Sequence, residues 1–201
     1  MELIRRGPEP PAKLAIFPGA FNPPTRAHLA LAESALDRVG EVLFVLPRHF
    51  PHKEFEKVGF PERLRLLEQA LAPYPRFSLA ASTGGLFIDI ARESRKYYPP
   101  STDLLFLCGR DAAERIVNWD YGEPQAFRRQ LEEYQLLVAR RGDDYHPPPD
   151  LAAFIHPLDT PAGWDDVSAT EVRRRIAAGK PWRHLVPSPI APLVERLYHS
   201  R

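Results

Sequence analysis

The sequence predicts an α/β protein built on a Rossmann-like, doubly wound parallel sheet, with a small helical part at its C-terminus. Three observations carry this expectation. Short β-rich apolar runs alternate with longer amphipathic ones. One run, Val42-Leu43-Phe44-Val45-Leu46, is continuously apolar, as a strand covered on both faces is. The length of 201 residues, at roughly 150 per domain, suits one domain over 1–201 rather than two.

Taken in order, residues 1–12 read as a loose N-terminal arm, because prolines crowd positions 8 to 11. Leu14 to Phe17 has strand length and composition. Arg26 to Val39 carries apolar residues at Leu29, Ala32, Leu36 and Val39, the spacing of a helix. Glu41 to Leu46 is the second strand. Pro61 to Leu71 repeats the helical spacing through Leu64, Leu67 and Leu71, with Pro61 placed for a first turn. Phe77 to Ala80 is a strand, Leu86 to Tyr97 a helix, and Leu104 to Cys108 and Gln135 to Ala139 are two further strands. Arg140 to Pro149 is a polar, proline-rich loop. In the C-terminal helical part, 168–201, Ser168 to Ala178 is a helix closed by Gly179, with Ser168 and Glu171 spaced as a capping box, and Pro189 to Tyr198 is another. Strands alternating with helices imply right-handed crossovers, with ligands held in the loops after the strands' C-terminal ends.

Composition narrows the function classes. Lys and Arg number 27 against 26 Asp and Glu, a net charge of +1, which supplies no field for a polyanion, so nucleic acid is not an expected partner. Cys108 is the single cysteine, so neither an internal disulfide nor a cysteine-based zinc site is available. The start, Met1 to Gly7 followed by proline, has no signal-peptide core, and no apolar run approaches the roughly 18 residues of a membrane span. The expectation is a cytoplasmic protein with no membrane partner. A homo-oligomer is compatible with the sequence, which says nothing of subunit number. Proline is the outlier, 23 residues, about twice the usual fraction.

No G-x-x-x-x-G-K-[ST] loop occurs, and Gly84-Gly85 lacks the G-x-G-x-x-G spacing, which disfavours the common kinases and dehydrogenases. The first strand instead runs into Phe17-Pro18-Gly19-Ala20-Phe21-Asn22-Pro23-Pro24-Thr25-Arg26-Ala27-His28. Gly19 lets the backbone turn and expose N–H groups, the prolines stiffen the loop, and Thr25 and His28 stand three apart where a helix begins. Backbone amides, a helix N-terminus and an imidazole aimed at one point suit charge developing on a phosphate oxygen. A histidine at a helix opening also suits a purely structural role; the glycine-proline loop before it favours function.

At this segment the chain resembles the nucleotidylyltransferase superfamily, whose signature G-x-F-x-P-x-[TH]-x-x-H reads here as Gly19, Phe21, Pro23, Thr25 and His28. Pro51-His52-Lys53 resembles the P-H-K loop of nicotinate or nicotinamide mononucleotide adenylyltransferases. Gly109-Arg110-Asp111 with Trp119 is similar to their G-x-D…W segment, and Val167 to Arg173 to their I-S-S-T-x-[IV]-R motif. Leu185-Val186-Pro187 is similar to their Y-L-V-P ending.

The resemblance implies adenylyl transfer from ATP, a substrate, to a mononucleotide phosphate, with pyrophosphate released and Mg2+ carried by the ATP phosphates rather than by protein ligands. It implies His28, Thr25, Lys53 and Arg173 as catalytic residues. ATP would meet Gly19, Ala20, Phe21, His28, Gly109, Asp111, Ser168, Thr170 and Arg173. The acceptor would meet Asn22, Lys53, Trp119, Gly84 and Gly85. Of Arg173, Arg174 and Arg175, only Arg173 shares the side of Ser168 and Thr170. Lys53 is one of five lysines in an arginine-rich chain. Trp119, read alone, is a core or surface aromatic, as are Trp164 and Trp182.

Three departures bear on the substrate. Thr25 and Ala27 replace the histidine and glycine of the commoner H-x-G-H form, and Ala169 replaces a serine. Leu86-Phe87-Ile88-Asp89-Ile90 stands where nicotinate enzymes have Y-T-x-D-T, so both threonine positions are apolar. The acceptor therefore stays open between nicotinate mononucleotide, nicotinamide mononucleotide and another phosphorylated compound such as phosphopantetheine. A nucleotide-binding regulator without catalysis is the alternative of a different class.

Overall fold

The computed structural model describes residues 1–49, 58–123, 125–140, 145–164 and 166–199. Its strands are β1 (Glu2–Arg5), β2 (Lys13–Pro18), β3 (Glu41–Pro47), β4 (Phe77–Ser82), β5 (Asp103–Gly109), β6 (Gln135–Ala139) and β7 (Ile155–Leu158). Its helices are α1 (Arg26–Ala35), α2 (Phe60–Leu71), α3 (Phe87–Ser94), α4 (Arg110–Val117), α5 (Ala126–Gln130), α6 (Ala169–Ala177) and α7 (Ala191–His199).

The strands form one sheet in the order β1-β4-β3-β2-β5-β6-β7. From β4 to β7 every pairing is parallel. The chain steps outward from β2 through β3 to β4, returns to β5 on the other side of β2, and steps outward again. The reversal between β2 and β5 opens a crevice at their C-terminal ends, where doubly wound sheets hold ligands.

Residues 1–12 are not a loose arm. β1 runs antiparallel along β4 with a register shift between Leu3 and Arg5. Pairing covers an edge that would otherwise expose open backbone groups. Arg5 reaches the carbonyls of Leu71 and, at 2.6 Å, Tyr74, and Gly7 N–H donates to Ser78 Oγ at 2.7 Å. The proline signal applies only beyond Gly7.

One face of the sheet packs through Ala15, Phe17, Val42, Phe44 and Leu79 against α1 and α2. The other packs through Leu14, Ile16, Val45 and Phe106 against α3, α4 and α5. A third apolar cluster seats α6 and α7 on α1 and α2, joining Val172, Ile176, Ile190 and Val194 to Ala27, Leu66 and Ala70. Trp182 is buried in that cluster and Trp164 lies against it. The C-terminal part is thereby fixed over the loop that follows β2.

α1 stops at Ala35 rather than Val39, because the N–H groups of Leu36 and Asp37 turn back to Glu33 and Ser34. α4, α5 and β7 are not among the elements expected from the sequence; α5 and β7, of five and four residues, are too short for a period to show. β7 even contains Pro157, tolerated because β7 is an edge strand. α6 ends as expected at Gly179, whose φ of +62° lets Lys180 N–H reach back to Arg175 O at 2.9 Å. No helix among the described residues is long and apolar enough to cross a membrane.

Candidate active site

The loop from Pro18 to Thr25 leaves the C-terminal end of β2, beside the crevice. Gly19 does not offer its own amide, as the sequence suggested, because Gly19 N–H donates to Val45 O at 3.1 Å. Its lack of a side chain serves packing: a Cβ there would sit 2.8 Å from Phe21 Cζ. Phe21, at φ +44°, turns its ring inward, edge-on to Phe17 and to His28 at centroid distances of 5.5 and 5.2 Å. Ala20, Phe21 and Asn22 donate no backbone hydrogen bond to any described residue. Their N–H groups are the ones available to an anion, together with the first turn of α1.

Thr25 caps α1 and is completely buried. Its hydroxyl accepts His28 N–H at 3.4 Å, while Thr25 N–H donates to His28 Nδ1 at 2.9 Å; Oγ1 also lies 2.8 Å from Nδ1. This is a capping box with histidine in the place usually taken by Glu or Gln. A nitrogen that accepts a hydrogen bond carries no proton, so the neutral ring holds its proton on Nε2. The box thus fixes both the ring's position and Nε2 as the donor.

Three long-range contacts brace the same loop. Arg63, in α2 and only 2% exposed, donates through Nη1 to Ala20 O at 3.0 Å and through Nε to Gly59 O at 3.3 Å. Arg173, in α6, donates through Nη1 to Asn22 O at 2.5 Å and through Nη2 to Thr170 Oγ1 at 3.2 Å. Tyr198, in α7, donates its hydroxyl to Asn22 Oδ1. Burial lowers the Arg63 pKa and raises that of Tyr198, against which the charges of Arg173 and Arg63 work. Arg63 and Tyr198 were not singled out in the sequence. Arg63 carried a signal, since it falls in helical register with Leu66, Leu67 and Ala70 on the buried face.

Ser168 caps α6 by accepting Glu171 N–H at 3.1 Å. The expected reciprocal half of that box is missing: the Glu171 carboxylate bonds Arg174 and Arg175 instead, at 2.7 and 2.6 Å. Those bonds pull the Glu171 pKa down to about 2 and leave Arg173 as the arginine on the Thr170 side.

Gly109 caps α4 at the end of β5, next to β2 across the crevice, with open space where a Cβ would be. Asp111 is exposed in the first turn of α4. Trp119 is 59% exposed beyond the other end of that eight-residue helix, about 12 Å along its axis, at the rim of an open depression of about 400 Å³ also lined by Tyr121 and Phe127. Gly84 and Gly85 form the turn after β4, where Ser82 Oγ donates to Gly84 O at 2.7 Å. Phe87 stacks on Phe106 at 4.2 Å and Ile90 is fully buried, so these apolar replacements serve the core. Pro51, His52 and Lys53 lie outside the described residues. Burial pushes the Cys108 thiol up to about 12, which leaves it a packing group rather than a nucleophile.

Residues 16–175 match the model of the cytidylyltransferase-like family. The chain is 30% identical over 191 residues to a "probable nicotinate-nucleotide adenylyltransferase" of Exiguobacterium sibiricum, covering 91% of this chain and 96% of the relative. It is 31% identical over 194 residues to a protein of the same name from Thermus thermophilus, covering 92% and 97%. In fold it matches the Plasmodium falciparum nicotinic acid mononucleotide adenylyltransferase complexed with NaAD, with a TM-score of 0.69, 16% identity, and coverage of 94% and 98%. With the signature loop on the C-terminal edge of a doubly wound sheet, the chain belongs to the cytidylyltransferase-like family, in its nicotinate/nicotinamide mononucleotide adenylyltransferase branch.

Proposed function

We propose that the protein transfers the adenylyl group of ATP to the phosphate of nicotinate mononucleotide, giving the dinucleotide and pyrophosphate in NAD biosynthesis. The observation that carries this reading is the Thr25–His28 capping box beside the loop amides of Ala20 to Asn22. It makes a preformed set of neutral donors next to a helix N-terminus, the chemistry a transferring phosphoryl group needs.

In the reaction an oxygen of the acceptor phosphate attacks the α-phosphorus, and the bond from that phosphorus to the β-bridging oxygen breaks, so pyrophosphate leaves. The nucleophile needs no deprotonation, and the protein's work is alignment and charge stabilisation. His28 Nε2–H, with the amides of Ala20, Phe21 and Asn22, donates to the α-phosphate as charge builds. Ser168, Thr170 and Arg173 at the start of α6 hold the β and γ phosphates. Lys53 serves the transferring group and the acceptor phosphate. Gly109 allows close approach of the ATP ribose, and Asp111 accepts from its hydroxyls. Trp119 stacks on the pyridine ring, and backbone N–H groups near the half-buried Gly84 and Gly85 serve the acceptor. Among the described residues no group of three or more His, Cys, Asp or Glu converges as a metal site. Mg2+ would be held by the ATP phosphates and water, where it would offset their charge.

Because Phe87 and Ile90 pack inward, a nicotinate carboxylate would have to be met by backbone N–H groups rather than threonine hydroxyls. Discrimination against the amide should be weaker than in a site with dedicated donors. The test is pyrophosphate release with ATP or CTP against nicotinate mononucleotide, nicotinamide mononucleotide and phosphopantetheine at fixed magnesium. The highest kcat/KM with ATP and nicotinate mononucleotide is expected. Preference for the amide would reassign the acceptor, and turnover of neither mononucleotide would overturn the reading.

A further inference from the structure

We infer that Arg63 and Tyr198 are positioning residues that aim the Phe21 N–H at the bound phosphate, acting through the Ala20–Asn22 loop. The inference deepens the functional reading above and rests on it. In a planar trans peptide the carbonyl and the next residue's N–H point in opposite directions. Arg63 holds Ala20 O from the α2 side at 3.0 Å, so Phe21 N–H, which belongs to the same peptide, faces the other way. Phe21 stands at φ +44°, a backbone state that a non-glycine residue keeps only when its surroundings over-determine it. Tyr198 supplies the second anchor by donating to Asn22 Oδ1, one residue beyond.

Arg173 also holds this loop, through Asn22 O. Yet Arg173 is the side chain assigned to the ATP phosphates, so its replacement would alter the brace and the phosphate contact together. Arg63 and Tyr198 are the braces with no assigned contact to the nucleotide. Arg63 adds a second effect, since its charge stands directly behind the loop and favours an anion in front of it.

The test uses Tyr198→Phe, Arg63→Met and Arg63→Lys. ATP affinity is measured by calorimetry without acceptor, kcat by pyrophosphate release, and folding by thermal melts, all at a temperature where each variant is folded. Tyr198→Phe should weaken ATP binding about fivefold, the worth of one hydrogen bond. Arg63→Met should weaken it at least about twentyfold, since a buried charge and its bonds go together. Arg63→Lys, which keeps the charge but not the fork, should lie between. In each case kcat should fall by at least the same factor. A merely structural role lowers the melting temperature but leaves the folded molecules binding ATP normally. Wild-type ATP affinity in both Tyr198→Phe and Arg63→Met overturns the inference. If Arg63→Met does not fold, wild-type affinity in Tyr198→Phe alone overturns it. Should the wild-type protein bind ATP but adenylate no mononucleotide, the functional reading fails, while the ATP titrations still judge the two braces.

Discussion

Replacing Thr25 by valine separates the helix-capping role of this residue from its hold on His28. Valine keeps the shape of a side chain with no exposed surface and deletes only the hydroxyl. Two contacts go: acceptance of His28 N–H, and the 2.8 Å approach to Nδ1. The first is long at 3.4 Å, so the loss should fall near the lower end for a threonine cap, about 0.5–1 kcal/mol. For a chain of this size that amounts to a melting temperature lower by about 1–4 °C. Thr25 N–H still donates to Nδ1, so the tautomer survives, but the ring loses one of its two anchors. Turnover should then drop about tenfold, against at least about a hundredfold for His28→Ala, which removes the donor itself. Because the threonine acts through the histidine, the double variant should be no slower than His28→Ala alone. The assay is pyrophosphate release at saturating ATP and nicotinate mononucleotide, alongside thermal melts. A Thr25→Val enzyme within twofold of wild type would refute the reasoning. So would a double variant slowed by the product of the two single effects.

Gly19→Ala places a Cβ 2.8 Å from a Phe21 ring already wedged against Phe17 and Phe44, and should cost about 1–3 kcal/mol of stability, read from denaturant melts. A melt like that of the wild type would show that the glycine is there for another reason. Arg173→Ala should weaken ATP binding about tenfold or more while leaving AMP nearly unaffected, checked by titration with ATP, ADP and AMP. Equal losses for all three nucleotides would mean that the arginine acts only by bracing Asn22. The fourth prediction concerns pH. The Glu171 pKa is depressed from 4.5 to about 2 by its bonds to Arg174 and Arg175, so its contribution to the α6 cap region is present above about 4.5 and fades as pH falls toward 2. Glu171→Gln should melt slightly below wild type near pH 7 and converge with it toward pH 2, the difference staying small because solvent screens the pairs. Parallel melting curves at all pH values would remove the carboxylate from the account.

What was legible in the sequence is what a short stretch of chain decides by itself. Strands β2 to β6 were readable because short, β-rich apolar runs alternate with longer amphipathic stretches, and α1, α2, α3, α6 and α7 because their apolar spacing repeats every turn. The Thr25–His28 pair was readable because both halves of the box lie within three residues. Segments whose state is set by a distant partner were not readable. β1 is four residues that become a strand only by borrowing the edge of β4, and the purpose of Gly19 depends on which way the Phe21 ring turns. The braces on the loop reach it from positions 43, 151 and 176 residues away, through Arg63, Arg173 and Tyr198. Helical spacing put Arg63 and Tyr198 on helices, but it could not say that a guanidinium and a phenol there would stop at Ala20 and Asn22. That was decided by the third apolar cluster, which seats α6 and α7 on α1 and α2 and so brings these polar groups within reach of the loop.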